Sequence, residues 1–425
     1  MITGPRSRPR LAPRAWEIAA AIAMLIMSST ALFPLLYAPA VIEPDEVVWL
    51  RYLWLPVYGL TVLLAAWNWK DLRAAAVGFV PTLALLALAL ASASWSIASD
   101  VTLRRWEALA FNALFAFYLA ARFDWRELVR IIAASMALLA IGSLVMALAF
   151  PSIGIHTTAN AGAWRGLWPQ KNELGFMMVM GALSSLAAAV IDARWRFAWL
   201  VAALLCGALL ILSRSGTSLL CLLLSASMLA ALVSSRARPV VATVAVFMAG
   251  FLALALLVVV VTDIDLVFQV MGKDPTLTGR TDVWTAVMRR IAERPTLGYG
   301  YAAFWHDRFG PALLIRRETG WQVPSAHNGW LEVVLQLGWT GAALTAFYFA
   351  VTAIAAARRL FSRGDGFWAI TYAAAFLLLS FSESDILRQN SLEWILFMAT
   401  STKLVGDLVH RARPARPPLA VVQAA

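Results

Sequence analysis

The chain has 425 residues, 61% of them hydrophobic and 14% charged, with a mean hydropathy of +0.74, a balance that excludes a soluble globular domain and defines a polytopic membrane protein. The net charge of +11 does not indicate nucleic acid, because basic residues in so apolar a chain gather beside spans and report topology. The two cysteines, Cys206 and Cys221, lie inside apolar runs, so neither a disulfide framework nor a thiolate metal site is expected.

The amino-terminal tail MITGPRSRPRLAPRAW carries Arg6, Arg8, Arg10 and Arg14 ahead of an apolar run with no small-residue cleavage site. This predicts a retained first helix with its basic end in the cytoplasm. The apolar runs are mostly about 18 to 25 residues long, which at ~1.5 Å per residue crosses a hydrocarbon core as helix. Twelve spans are predicted, at residues 16–37, 47–67, 78–95, 106–121, 128–150, 172–191, 195–212, 216–234, 239–261, 327–357, 367–383 and 390–408. The expected fold is therefore all-α, a polytopic membrane helical bundle, and with no internal repeat residues 1–425 form a single membrane domain.

With the amino terminus inside, the cytoplasmic connections hold Lys70 and Arg73; Arg122, Arg126 and Arg130; Arg194 and Arg196; Arg236 and Arg238; and Arg358, Arg359 and Arg363. The tail adds Arg411, Arg413 and Arg416, whereas the first opposite-side connection, APAVIEPDE, has no Lys or Arg. One orientation satisfies the positive-inside rule, with both termini cytoplasmic. Trp49, Trp54, Trp67, Trp69, Trp95 and Trp106 fall near span ends and read as interfacial anchors in the lipid bilayer.

Three features on the outer side break this plain pattern. The connection from Pro151 to Lys171 is long and ends in KNELG, putting Lys171 or Asn172 at a helix amino terminus, where free N–H groups favour an anion. The turn SRSG puts Arg214 at the outer membrane face. Residues 262–326 make one large outer loop, in which DVWTAVMRRIAER predicts an amphipathic helix with Val283, Val287 and Ile291 on one face, stopped by Pro295. The aromatic run TLGYGYAAFW after it suits either a sugar or lipid path or ordinary loop packing. The loop ends in SAHNGW, where His327 is either a chemical group at a membrane mouth or a helix cap.

Arginines, a histidine and aromatics on one outer face, with no dense carboxylate or cysteine cluster for a metal, fit a phosphorylated lipid. Arginine holds phosphate oxygens with a planar, permanently charged fork, and Arg214 and Arg280 are the two best placed. Either could instead be a simple headgroup contact. A histidine can accept the proton of an incoming hydroxyl, and His327 is a stronger candidate than His156, His306 or His410. Together these parts point to glycosyl transfer from a lipid diphosphate, with no metal and no cofactor.

The pattern HN, nine residues, Gly, two residues, Gly, from His327 through Gly341, resembles the signature of the O-antigen ligase and O-antigen and exopolysaccharide polymerase superfamily of bacterial surface-glycan enzymes. The order of parts agrees: SRSG with Arg214, TGRTDVW with Arg280, then SAHNGW with His327, over residues 167–341. QKNELG, Gln170 to Gly175, is similar to the HKN element of exopolysaccharide-polymerase-like members, with Gln170 replacing the usual histidine, so that position is given no catalytic role. The resemblance implies about twelve transmembrane helices around one large periplasmic loop. It also implies a metal-independent, inverting glycosyltransferase in the bacterial inner membrane, moving glycan from an undecaprenyl-diphosphate donor to a glycan or lipid acceptor on the periplasmic side.

By carry-over, Arg214 and Arg280 bind the diphosphate and His327 activates the acceptor hydroxyl. Lys171 and Arg165 are candidate auxiliary phosphate contacts. Asn328 is counted with them, although with Gly338 and Gly341 it also suits a role in shaping the helix. Glu332, five residues beyond His327, falls off the same helical face and is not assigned as its orienting carboxylate. KNELG leans the expectation toward polymerase over ligase. The alternative class is a transporter or flippase of lipid-linked oligosaccharide, which would use many of the same residues, and a third is a noncatalytic partner of an export complex.

Overall fold

The computed structural model describes residues 13–31, 36, 48–157, 160–234, 280–306, 310–320, 322–363 and 366–412. These form helices α1 (Ala15–Ser28), α2 (Val48–Tyr52), α3 (Leu55–Trp67), α4 (Trp69–Ala91), α5 (Ser99–Arg122), α6 (Trp125–Ala149), α7 (Pro151–Gly154) and α8 (Lys171–Ile191). They continue as α9 (Arg196–Ser213), α10 (Gly216–Ser234), α11 (Arg280–Glu293), α12 (Pro311–Thr319), α13 (Gly329–Arg363), α14 (Phe367–Leu379) and α15 (Leu392–Ala412). The fold is a helical membrane bundle, as the solvent argument requires.

Among the described residues, seven helices are long and apolar enough to cross a membrane: 50–67, 69–94, 125–149, 171–191, 196–213, 216–233 and 329–360. α1 and α14 are apolar but shorter. The expected spans 106–121 and 390–408 correspond to α5 and α15, while 239–261 and the first part of the outer loop, up to residue 279, lie outside the described residues. Helix α4 begins at Trp69, so Lys70 and Arg73 sit in its first turns rather than in a connection.

The most enclosed span is α8, with 83% of its apolar window buried, and it packs against α6, α9, α10 and α14. Small residues permit the closest crossings. At Gly78 a Cβ would stand 2.1 Å from the Thr402 carbonyl oxygen and 2.8 Å from the Gly406 nitrogen, so α4 and α15 meet backbone to backbone. Cys206 and Cys221 are buried free thiols. Trp67 and Trp69 are exposed at the α3–α4 junction as anchors should be, but Trp54 is buried and packs in the core.

The two bundle ends are built differently. At one, Arg122 pairs with Glu17 at 2.8 Å, both buried, and Lys403 donates to the carbonyls of Ala120 and Phe123, so Arg122, counted for topology, also helps to lock helix ends. The other end gathers the α8 amino terminus, the α9–α10 turn, the end of α14, the starts of α13 and α15, and the outer segment from α11 onward.

Candidate functional site

The site begins at the entry to α13. Asn328 Oδ1 accepts from the amides of Trp330 (3.0 Å) and Leu331 (3.1 Å), which makes Asn328 the helix cap. His327 is therefore not the cap. It lies just outside the helix with φ +48, a left-handed conformation uncommon for a side-chain-bearing residue. Three elements hold it there. The Ala326 amide donates to Glu332 Oε2 at 3.0 Å, Trp284 Nε1 of α11 donates to the Ala326 carbonyl at 2.9 Å, and the turn after α14 receives Asn328 N on Ser384 Oγ and Gly329 N on the Ser380 carbonyl.

Glu332 is buried and also takes Trp305 Nε1 on both carboxylate oxygens and Gln336 Nε2 at 2.8 Å. It fixes the backbone before the histidine. The carboxylate that faces the ring belongs to Glu383, in the connection between α14 and α15. Its Oε2 lies 3.8 Å from His327 Nδ1 and its Oε1 lies 3.4 Å from Arg280 Nη2, at the first residue of α11. Burial pushes the Glu383 carboxyl up, but the His327 ring and the positive charges of Arg280 and Arg388 outweigh it and hold the group below the usual carboxylate range. Side-chain exposures of 20% for Arg280, 19% for Glu383 and 11% for His327 put the three at a partly open mouth.

Arg214 belongs to a neighbouring cluster. It ends α9 with φ +53, its exposed guanidinium donates to the Ala161 carbonyl at 3.3 Å, and its own carbonyl accepts from Lys171 Nζ at 3.3 Å. The Lys171 amide donates to His156 Nε2 at 3.2 Å, so a neutral imidazole caps α8. Burial, then the charges of Arg165 and Lys171, push the His156 pKa down. Arg165 donates to the carbonyls of Ile153, Ser152 and Pro169, which commits its fork to its own loop. The clusters are joined through the first turn of α8: Glu173 feels the charges of Arg388, Glu383 and Asp385. A cavity of ≈20 Å³, room for one water, lies beside it among Glu173, Arg388, Asn390, Ser391 and Glu393.

The aromatic run after α11 does not line a path. Tyr299, Tyr301, Phe304 and Trp305 are buried, and the run plugs this end of the bundle. Ile97 N donates to the Tyr299 carbonyl, Tyr301 N to Ser92 Oγ, and Tyr301 Oη to the Leu387 carbonyl. On its other side the plug enters a break in α13. Gly338 has φ +66 and ψ −170, and a Cβ there would fall 2.1 Å from the Thr296 oxygen. Tyr299 N and Gly300 N donate to the carbonyls of Leu335 and Gln336, while Trp339 N and Thr340 N donate to those of Pro295 and Thr296. At Gly341 a Cβ would meet that of Leu337 at 2.3 Å. The two glycines of the motif thus form the break and the room beside it.

Of the residues singled out from sequence, Arg280 and His327 come together, Arg214 and Lys171 form the adjacent cluster, and Asn328 and Arg165 serve local structure. Glu383 was missed. The available signal was FSESDILRQN, a short connection with two acids and an arginine between apolar helices.

The fold defines a multi-pass membrane protein, with this cation–carboxylate–histidine mouth as a candidate site at one end of its helical bundle. Residues 200–346, which include Arg214, Arg280, His327, Gly338 and Gly341, match the O-antigen ligase family. The chain is also 26% identical over 376 residues, 84% of either chain, to the exopolysaccharide production protein ExoQ of Rhizobium meliloti (strain 1021). Both likenesses support the O-antigen ligase and polymerase family that the motifs resemble.

Proposed function

We propose that this protein is a metal-independent glycosyltransferase of the inner membrane that moves glycan from an undecaprenyl-diphosphate carrier to an acceptor hydroxyl at the periplasmic face. The observation that carries the reading is the joining of Arg280 and His327 through Glu383 at a partly open mouth. Arginine neutralises the diphosphate as it leaves, with Arg214 and Lys171 as further cations. His327 takes the acceptor O–H proton. The acceptor oxygen bonds to the anomeric carbon from the face opposite the diphosphate, and the bond from that carbon to the phosphate oxygen breaks with its electron pair leaving on the diphosphate. The configuration inverts, and His327 returns its proton to water. Likeness to a protein of exopolysaccharide production, with KNELG, favours an acceptor that is itself a growing polysaccharide.

The test is reconstitution in vesicles with a lipid-diphosphate glycan and candidate acceptors. Wild-type protein yields a glycan joined to acceptor, and product length separates polymerase from ligase. His327→Ala loses on the order of 10²-fold or more in transfer while still binding donor. Arg214→Lys and Arg280→Lys, which keep charge but lose the fork, lower turnover. Transfer retained in His327→Ala removes the base assignment, and movement of intact donor across the vesicle without bond breakage makes the protein a flippase.

A further inference from the structure

The Glu383 carboxylate stands between two groups that the proposed reaction uses separately, and it grips neither tightly. One oxygen is 3.4 Å from Arg280 Nη2 and the other 3.8 Å from His327 Nδ1. Neither is a short charge-assisted hydrogen bond, which would measure about 2.7–2.9 Å. The carboxylate's backbone is well anchored. Glu383 N donates to the Leu379 carbonyl, Ser384 Oγ receives Asn328 N, and the Ser380 carbonyl receives Gly329 N. The side chain thus reaches two partners from a fixed turn.

We propose that Glu383 is a positioning residue that couples donor binding to activation of His327. In the resting protein it shares itself between Arg280 and the histidine. A lipid diphosphate competes for the Arg280 fork with more negative charge and more acceptor oxygens, and displaces the carboxylate from it. Glu383 then closes on His327 Nδ1–H, fixing the tautomer in which the other ring nitrogen is basic and stabilising the imidazolium that forms during transfer. Contacts of this kind are often long before substrate binds. Acceptor activation therefore follows donor capture.

The charges around this pair come from three elements. Arg280 faces it from α11, Asp385 and Arg388 from the same turn as Glu383, and Glu173 from α8. Asp385 pairs with Arg388 at 3.0 Å, which leaves Glu383 as the carboxylate nearest both Arg280 and the ring. The depressed pKa of Glu383 keeps it anionic across the working range.

The inference rests on the transferase reading, and one variant separates the two. Glu383→Gln keeps the shape and removes the competing charge. It should bind lipid-diphosphate donor about two- to fivefold tighter, the scale of one part-exposed ion pair, yet turn over on the order of 10²-fold more slowly. Its pH–rate profile should differ from that of the wild type, because the charge beside the proposed base has been removed. A residue that merely held the fold would weaken donor binding or leave it unchanged. Glu383→Asp, which keeps the charge on a shorter arm, should recover part of the turnover. In the Arg280→Lys background, Glu383→Gln should no longer tighten donor to the same extent. If Glu383→Gln binds donor no more tightly and keeps its turnover and pH profile while His327→Ala is inactive, the coupling is wrong and the transferase reading stands. If His327→Ala itself transfers glycan, the transferase reading falls first. Should Glu383→Gln not fold, the Asp variant decides: wild-type donor affinity, turnover and pH profile together would overturn the coupling.

Discussion

Replacing Gly338 with alanine tests whether the break in α13 is a built joint. Its φ of +66 and ψ of −170 lie in a region essentially reserved for glycine, so any side chain there costs about 1–3 kcal/mol in backbone strain. The added Cβ would also stand 2.1 Å from the Thr296 oxygen and 2.2 Å from its carbonyl carbon, both backbone atoms that cannot rotate away. Forced overpacking adds about 1–3 kcal/mol, and the bonds from Trp339 and Thr340 into the plug contribute about 0.5–1.5 kcal/mol each. Gly338→Ala should therefore destabilise the protein by several kcal/mol, read as a lowered midpoint in detergent melts, and should lower glycan transfer through displacement of His327, eleven residues earlier in the chain. Gly59→Ala in α3 and Gly207→Ala in α9 are the controls. Neither has an atom within 4 Å of a new Cβ, so each should be neutral or gain up to about 1 kcal/mol of helix propensity. If Gly338→Ala melts with the controls, the joint does not exist as described.

Asn328→Ala should cost about 0.5–2 kcal/mol through loss of the α13 cap, while Asn328→Asp and Asn328→Ser, which also cap, should melt near wild type. Donor binding lost in the Asp variant at unchanged stability would give Asn328 a substrate contact after all. His156 has a pKa depressed below the ordinary 6.5, so the unfolded chain binds its proton more readily than the native one. The stability it contributes is present above about pH 6.5 and is lost as pH falls from there toward the native pKa. His156→Asn should flatten that slope in melts between about pH 5 and pH 8, and an unchanged slope would remove the cap of α8 as its source.

What could be read from sequence was whatever local period and composition decide. The face of α11 with Val283, Val287 and Ile291 is buried as its helical spacing required, and the helix ends at Glu293 ahead of Pro295. The order of Arg280 and His327 along the chain was legible as a motif, but their meeting at one carboxylate was not. Glu383 did not, because its partners lie 103 and 56 residues away and nothing local marks a carboxylate as facing a ring. Arg122 reads as a topology charge by position, yet it is buried against Glu17 from the first helix, a pairing only tertiary packing makes. TLGYGYAAFW could be path or packing, and the break at Gly338 decides for packing, since the run fills a gap no hydropathy plot reveals.

The plug also sets where this chain tolerates a change of length. Residues 295–305 are bonded on three sides, to the α4–α5 turn, to the broken helix and to the turn before α15, and from Gly298 to Trp305 they are buried, while Pro295, Thr296 and Leu297 stay exposed. An insertion there would push Arg280 and His327 out of register with each other, because the same backbone spaces them. The segment that follows, through α12 to Gly320, has exposed positions such as Leu314 and Arg317 and ends in a left-handed glycine with open space around it. Added residues should be accepted near Gly320. Loops grafted there could vary the surface at this end of the bundle while the spacing of Arg280 and His327 stays fixed.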